Sequence, residues 1–496
     1  KYVLFEVSGP MLETLPQLYL FETPRDTLHD LLRRMGEARR DEAVRGIILR
    51  LEAPGIGWGK AQTIRSAMRL ARQDAKEVVC IMNGGTNLGY YTACAADRIV
   101  LNPQGQLLVS GLRAEAIFAR SLLQKLGIQA DIVQAGKYKG AAEGLTRSEP
   151  SEAYAEAVQS LLDDYFEQYV AGIAEGRGIA PDRVRELLES GPYTAQDAAA
   201  KDLVDGVAHY DELVDTLRAN EGAELLIDDE YAVASQKPAG GMNFLSMLMG
   251  GGAAGTARPQ GPAVAVLYAV GPIVVGGSGE VGLGDQVVDA TRMRRHIREL
   301  AEDESIVGVV LRVNSPGGSA LASDIIWREL RLLDTRKPVI ASFSDSAASG
   351  GYYIGAGARR ILAEPGTLTG SIGVFGGKLV MSGLFEKLGL NVAVFEAGQG
   401  GGLYSAFEPL GPEGRAKFQE LIDATYETFL DRVAVTRPDM AADDVLLVAG
   451  GRVWTGRQAM ERGLVDELGG VSDAIRRVKI EAGLDPDAAI NVVRVP

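Results

Sequence analysis

The chain has 496 residues, 46% apolar and 24% charged, which is the composition of a soluble globular protein with room for several domains. Its net charge of -15, without any long basic stretch, argues against a nucleic-acid partner. Two cysteines, Cys80 and Cys94, exclude a disulfide framework and are interpreted as small buried apolar residues.

The first predicted element is a strand, KYVLFEV, which begins at Lys1. No stretch of the chain reaches the about 18 apolar residues that a membrane-spanning helix needs. We therefore expect any targeting or anchor segment of the protein to precede this numbering.

Three stretches of the first half recur in the second half at a constant offset of 262 residues. The pairs are YVLFEVSGPM with VAVLYAVGPI, DEAVRGIILRLEAPG with DESIVGVVLRVNSPG, and LQKLGIQADIVQAG with FEKLGLNVAVFEAG. Near the ends, DLVDGV at Asp202 matches GLVDEL at Gly463 after a slip of one residue. The chain is therefore predicted to be one domain duplicated.

The predicted boundaries are a first repeat over 1–234, a linker over 235–262 and a second repeat over 263–496. Glycine, alanine and proline dominate the linker, which predicts a flexible segment. A short apolar cluster inside it, Phe244 to Met249, is expected to pack locally.

Strand and helix patterns alternate within each repeat. In the second repeat, the apolar run Gly308 to Val313 is typical of a buried parallel strand, and Ser319 is a suitable N-cap for the helical pattern that follows. The strand KPVIASFS, a turn into a further helix at AASGGYY and the strand RILAEP come next. This order predicts an α/β fold with mostly parallel sheets.

A candidate nucleophile, Ser349, stands directly before two glycines at this last turn. Its counterpart in the first repeat is Asn87, although both repeats keep the two tyrosines that follow. None of the three histidines of the chain lies near Ser349 in sequence, so a different base must take its proton.

Two lysines are present in the first repeat and absent from the second, which is the reverse of the distribution of Ser349. Lys137 and Lys139 lie in AGKYKGAAEG, and the second repeat has Gln399 and Gly401 at these positions. Together the repeats would supply one Ser–Lys pair, with a buried lysine neutral enough to act as the base. The alternative is that Lys139 is an ordinary solvated lysine.

A candidate oxyanion hole lies in NSPGGS, after the strand and before the helix of the second repeat. Gly317 and Gly318 leave backbone N–H groups bare near a helix N-terminus, and the N–H of Gly350 is a further donor. In the first repeat, Ile56 replaces Gly318.

These motifs resemble the signal peptide peptidase A family, serine peptidases of the crotonase/Clp-protease fold group, in its long duplicated form. AASGGYY resembles the family's nucleophile motif around Ser349, TGSIGVFG its following motif, and GKYKGAAE its lysine segment with Lys139 at the catalytic position. The resemblance also implies that Ser371, whose counterpart is Val109, supports the lysine.

The family resemblance implies an enzyme that hydrolyses apolar peptides such as cleaved signal peptides, without a cofactor or metal. It further implies a homotetramer on the periplasmic face of the bacterial inner membrane, attached through a segment outside this sequence.

The sequence leaves three other interpretations open. GSGEVG, from Gly277, fits the dinucleotide-binding pattern, but the next strand ends in Asn314 and Ser315 instead of an acidic residue. A crotonase-like acyl-CoA enzyme would use a similar backbone hole with carboxylates as acid and base. A catalytically inactive membrane-associated scaffold is the non-enzymatic alternative.

Overall fold

The computed structural model describes residues 1–14, 26–233, 261–276, 286–398, 400–438, 440 and 442–496. The predicted cluster Phe244 to Met249, the GSGEVG pattern and Gln399 lie outside these residues. Within the described ranges, none of the helices combines the length and the apolar character that a bilayer crossing requires.

The first repeat contains ten strands and nine α-helices among the described residues, together with a 3₁₀ turn at Gly140–Ala142. The strands are β1 (Tyr2–Pro10), β2 (Gly46–Gly55), β3 (Glu77–Met82), β4 (Gly85–Thr86), β5 (Arg98–Leu101), β6 (Gln106–Leu108), β7 (Gln129–Ala135), β8 (Tyr193–Thr194), β9 (Gly206–Val207) and β10 (Ile227–Asp228). The helices are α1 (Leu28–Arg40), α2 (Trp58–Gln73), α3 (Asn87–Ala93), α4 (Arg120–Leu126), α5 (Glu143–Thr146), α6 (Glu152–Arg177), α7 (Pro181–Ser190), α8 (Ala195–Ala200) and α9 (Tyr210–Glu221).

The second repeat follows the same plan, with a 3₁₀ turn at Gly401–Tyr404. Its strands are β11 (Ala263–Val270), β12 (Ile273–Val274), β13 (Val288–Asp289), β14 (Ile306–Ser315), β15 (Val339–Ala348), β16 (Arg360–Ala363), β17 (Leu368–Gly370), β18 (Val374–Val380), β19 (Val453–Thr455), β20 (Glu467–Leu468) and β21 (Asn491–Val495). Its helices are α10 (Ala290–Glu302), α11 (Ala320–Asp334), α12 (Gly350–Gly355), α13 (Ser382–Lys387), α14 (Pro412–Thr436), α15 (Ala442–Val448), α16 (Gly456–Met460) and α17 (Val471–Glu481).

Each repeat is built on a parallel sheet with the same strand order. The order is β10-β1-β2-β3-β5-β9 in the first repeat and β21-β11-β14-β15-β16-β20 in the second. Apolar clusters pack on both faces of each sheet, as expected for buried parallel strands. The predicted duplication and the α/β fold with mostly parallel sheets are confirmed.

Local predictions are also confirmed at two places. The Ser319 side chain caps α11 by accepting the Ala322 N–H at 3.3 Å. Cys80 and Cys94 are fully buried free thiols in the core of the first repeat. Burial raises the pKa of the Cys94 thiol to about 11, so it behaves as an apolar core residue.

One antiparallel pair of strands joins the repeats. All seven residues of β7, from the first repeat, pair with β18 of the second, from Val374 opposite Ala135 to Val380 opposite Gln129. A small apolar cluster, Val133, Ala135 and Ile422, forms between β7 and α14. This pairing is what brings the lysine segment that follows β7 to the second repeat.

Candidate active site

Ser349 lies at the turn between β15 and α12 in a strained backbone conformation. Its φ of 54° is in the left-handed region, which costs a non-glycine residue on the order of 1–3 kcal/mol. The Ser349 N–H donates to the Gly370 carbonyl at 2.9 Å, and the Ser349 carbonyl accepts the Tyr353 N–H at 2.9 Å. These contacts hold the serine hydroxyl at the carboxyl end of the sheet.

Lys139 reaches this hydroxyl from the other repeat. Its Nζ lies 3.0 Å from Ser349 Oγ, 2.9 Å from Ser371 Oγ and 2.8 Å from the Ser371 carbonyl oxygen. The residue is 2% exposed, so the alternative of a solvated surface lysine is wrong. The structure thus brings together a serine and a lysine that are far apart in the chain.

Burial lowers the pKa of Lys139 to about 8, because removal of water disfavours the ammonium form. Across the described ranges no carboxylate forms an ion pair with its Nζ, so no neighbouring negative charge offsets the effect of burial. Lys137, two residues earlier, is exposed and lies with its Nζ 5.1 Å from the Tyr138 ring centroid. Of the two predicted lysines, Lys139 is the one that contacts Ser349.

Ser371 contacts Lys139 through both of its oxygens and is held in a second left-handed conformation, with φ 53°. Its N–H donates to the Arg452 carbonyl at 2.7 Å. This backbone geometry points the carbonyl and the hydroxyl at one amine, which leaves that amine well ordered.

The three predicted oxyanion donors differ in availability. The N–H of Gly317 already donates to Ser315 Oγ at 3.1 Å, while no described residue accepts a hydrogen bond from the N–H of Gly318 or Gly350. Gly317 instead provides space, because a Cβ there would lie 2.7 Å from the Gly350 nitrogen and 2.8 Å from Ser349 Cβ. The two free amides belong to backbone segments in direct contact.

At the positions equivalent to Ser349 and Ser371, the first repeat has neither a serine nor a positive φ. Asn87 begins α3, and its Oδ1 accepts hydrogen bonds from the Ser110 N–H at 3.0 Å and the Tyr169 hydroxyl at 3.2 Å. Neither Asn87 nor Val109, the counterpart of Ser371, has a positive φ. This copy is therefore an ordinary turn fixed by side-chain hydrogen bonds.

Several buried charged residues beneath the site were missed by the sequence reasoning. Arg312, in the middle of β14, is fully buried and forms hydrogen bonds at 3.0 and 3.1 Å with Glu13 of the first repeat. Glu364 is also buried and accepts the Thr63 hydroxyl proton at 2.7 Å. A charged residue within an apolar strand such as GVVLRV was the available signal, because it requires a buried partner.

The described residues contain no group of three or more histidine, cysteine, aspartate and glutamate side chains placed to hold a metal ion. The groups that the site offers for chemistry are the serine, the lysine and the backbone amides.

The two α/β repeats and the buried serine–lysine contact define a serine peptidase. The sequence profile of Peptidase family S49 matches residues 70–224 and 331–485, which is one region in each repeat. The chain belongs to this family. The predicted resemblance to signal peptide peptidase A is confirmed.

The relatives cover nearly the whole chain. Serine protease SPPA, chloroplastic, of Arabidopsis thaliana is 32% identical over 460 residues, which are 92% of this chain and 66% of that protein. Protease 4 of Salmonella typhi is 30% identical over 457 residues, 91% of this chain and 71% of that protein. Protease 4 of Haemophilus influenzae is 30% identical over 473 residues, 93% and 74%.

Among solved structures, a mutant of the 1510-N membrane-bound stomatin-specific protease covers 48% of this chain with 15% identity and a TM-score of 0.30. This likeness is weak, and the fold assignment rests on the chain's own sheets and on the family match.

Proposed function

We propose that the chain hydrolyses peptide bonds with Ser349 as nucleophile and Lys139 as general base. The observation that carries this proposal is the 3.0 Å contact between Lys139 Nζ and Ser349 Oγ, at a lysine that is 2% exposed. A neutral amine donates two hydrogen bonds, which the Ser371 hydroxyl and carbonyl oxygens accept. Its lone pair is then left facing the proton of Ser349 Oγ.

The reaction follows from these positions. Ser349 Oγ attacks the substrate carbonyl carbon while its proton passes to Lys139 Nζ. The resulting oxyanion accepts hydrogen bonds from the N–H groups of Gly318 and Gly350. The lysine ammonium then protonates the leaving amine, so the C–N bond breaks and an acyl-serine ester remains. Lys139, neutral again, takes a proton from water as the water oxygen attacks the acyl carbon. The lysine ammonium then returns this proton to Ser349 Oγ as the ester bond breaks and the acid is released.

The proposed donors are the amides of Gly318 and Gly350, not that of Gly317, which is occupied by Ser315 Oγ. The proposed role of Ser371 is to support the lysine, since its two oxygens fix the direction of the lysine lone pair. The proposed repeat boundaries remain 1–234 and 263–496, with 235–262 as linker.

The proposed substrates are extended apolar peptides such as cleaved signal peptides. Small and apolar side chains surround the serine: Ala347 and Ala348 precede it, and Ile372 follows Ser371 on the neighbouring segment, all of them buried. A charged substrate side chain placed against such residues would lose its hydration without gaining a partner. The family match supports the same substrate class.

We propose that the chain assembles into a homotetramer through a second copy of the β7–β18 contact. The counterparts of β18 and β7 at the 262-residue offset are residues 112–118 and 391–397, and neither segment pairs with any described strand. Both are largely exposed, with Ile117 at 87% and Phe395 at 93%. Pairing 112–118 of one copy with 391–397 of the next would repeat head to tail and close a ring.

The proposed location is the periplasmic face of the bacterial inner membrane, with attachment through a segment outside this numbering. Comparing the membrane and soluble fractions of cells that express the gene from its natural start would test it.

The test of the peptidase is Ser349→Ala, compared with wild type in peptide hydrolysis and in labelling by a serine-reactive phosphonate. We expect hydrolysis and labelling to be abolished while the folded state is retained, because among the described residues Ser349 Oγ forms a hydrogen bond with Lys139 alone. Retained turnover in the purified variant would exclude Ser349 as nucleophile. A wild-type protein that resists labelling and binds acyl-CoA would favour the crotonase-like rival.

A further inference from the structure

A loop of the second repeat, residues 449–452, lies between the lysine segment and Ser371. On one side, the Tyr138 N–H donates to the Gly450 carbonyl at 2.7 Å. On the other side, the Ser371 N–H donates to the Arg452 carbonyl, also at 2.7 Å. The same loop therefore fixes the backbone on both sides of the contact between Lys139 and Ser371.

The side chain of Arg452 extends this link across the repeats. Its Nη1 donates to Glu156 Oε1 at 2.6 Å, and Glu156 Oε2 accepts the Tyr138 hydroxyl proton at 2.9 Å. The guanidinium also lies over two aromatic rings, 4.9 Å from the centroid of Tyr138 and 4.5 Å from that of Trp454. The Arg452 side chain is 17% exposed, while its partner Glu156 is 51% exposed, so solvent screens the ion pair and the ring contacts are the better shielded part of the link.

Among the described residues, this arrangement is present at the junction that holds the serine and the lysine and absent at its counterpart. The strands that follow the loop, the N-caps of the two long helices and the lysine segments of the repeats define the equivalent positions. For Arg452, Tyr138 and Glu156 the counterparts are Gly191, Gly400 and Ala416. The counterpart junction therefore lacks all three of these side chains, and it also lacks the serine and the lysine.

We propose that Arg452 is a positioning residue, which holds Tyr138 and thereby keeps the Lys139 amine against Ser371 and Ser349. The Arg452 side chain contacts neither Ser349 nor the Lys139 amine, so it acts through Tyr138 and Glu156. The inference rests on the proposed Ser–Lys function. A displacement of about 1 Å at a reacting group costs on the order of 100-fold in rate, so loosening this contact should be visible in turnover.

The test is Arg452→Met in the full-length chain, with kcat and KM measured separately and the rate of phosphonate labelling followed in parallel. We expect kcat and labelling to fall by about 10- to 100-fold and KM to stay within about twofold, because the Arg452 side chain contacts Glu156, Tyr138 and Trp454 and neither Ser349 nor the amides of Gly318 and Gly350. Arg452→Lys should recover part of the loss, since a cation over the Tyr138 ring is retained. A merely structural role would not give this split between kcat and KM.

Arg462→Met is the matched control. Its guanidinium also lies over Trp454, at 4.0 Å, but it forms no contact with Tyr138 or Glu156 in the described structure. Its kcat should stay at the wild-type value. An equal loss in this control would assign the effect to packing on Trp454 and overturn the inference.

Two further arms keep the outcomes separate. If Arg452→Met does not fold, Tyr138→Leu removes the ring from the other repeat without changing any charge, and wild-type kcat in that variant overturns the inference. Wild-type kcat in Arg452→Met, with Ser349→Ala inactive, also overturns it and leaves the peptidase proposal intact. An active Ser349→Ala would instead overturn the peptidase proposal itself.

Discussion

The protonation of Lys139 gives a quantitative prediction for the pH dependence of activity. Burial lowers its pKa from 10.5 to about 8, a shift equivalent to about 3 kcal/mol against the ammonium form. At pH 7 about one lysine in eleven is then neutral, compared with roughly one in 3,000 for an unperturbed lysine. Burial therefore raises the population of the competent base by about 300-fold.

The expected profile follows from the sign of this shift. The base must be neutral, so kcat/KM should rise with pH through a single ionisation near 8 and level off above about pH 9. The value at pH 7 should be about one tenth of the plateau. A peptide without ionisable groups, assayed from about pH 6 to 10, measures it, and phosphonate labelling over the same range reports the same ionisation independently of the substrate.

Two substitutions sharpen this prediction. Lys139→Arg should be inactive at every pH, since arginine does not become neutral in this range. Lys137→Ala should keep both the activity and the profile, since Lys137 is exposed and does not contact Ser349. A profile that is flat or falls between about pH 7 and 9, or activity in Lys139→Arg, would refute the reasoning.

The remaining predictions concern the interface, the shared site and the substrate. Burial raises the pKa of Glu364 to about 7, so its contribution to stability is full below about pH 4.5 and is lost as the pH rises through 7. Glu364→Gln should therefore raise the free energy of unfolding by up to about 3 kcal/mol at about pH 8 and by little at about pH 5, and equal effects at both pH values in thermal melts would contradict this. The second repeat alone, 263–496, should be inactive, and full-rate cleavage by it would refute the shared site. Because Lys139 and Ser349 meet within one chain, co-expressed Ser349→Ala and Lys139→Ala chains should stay inactive, whereas restored activity would indicate a site between chains. A peptide panel should favour small or apolar residues before the cut, and a clear preference for Asp or Lys there would exclude an apolar pocket.

The parts of the fold that the sequence predicts depend on patterns repeated within the chain. The constant offset of 262 residues predicts the duplication, and the complementary positions of Ser349 and Lys139 predict that the two repeats share one pair. No local pattern could supply the 3.0 Å contact itself, but two losses in opposite repeats point to the same contact. The differences between the two repeats of this chain therefore identify Ser349 and Lys139 as the pair.

The sequence does not predict which copy of a repeated segment pairs with another strand. Residues 112–118 and 374–380 occupy equivalent positions, yet only the second segment pairs, because β7 of the opposite repeat lies beside it. The same limit applies to Glu13 with Arg312 and to Glu156 with Arg452, pairs separated by 299 and 296 residues. Each of these contacts depends on how the repeats dock, which is a property of the assembled fold.

Backbone strain differs between the two copies of the site. Ser349 and Ser371 both have positive φ values, whereas their counterparts Asn87 and Val109 do not. Such conformations cost on the order of 1–3 kcal/mol each and persist only where surrounding contacts enforce them. In the first repeat, Asn87 has no positive φ, and its side-chain oxygen accepts hydrogen bonds from the Ser110 N–H and the Tyr169 hydroxyl. The β7–β18 pairing and the loop at 449–452 hold the strained residues Ser349 and Ser371 against the lysine.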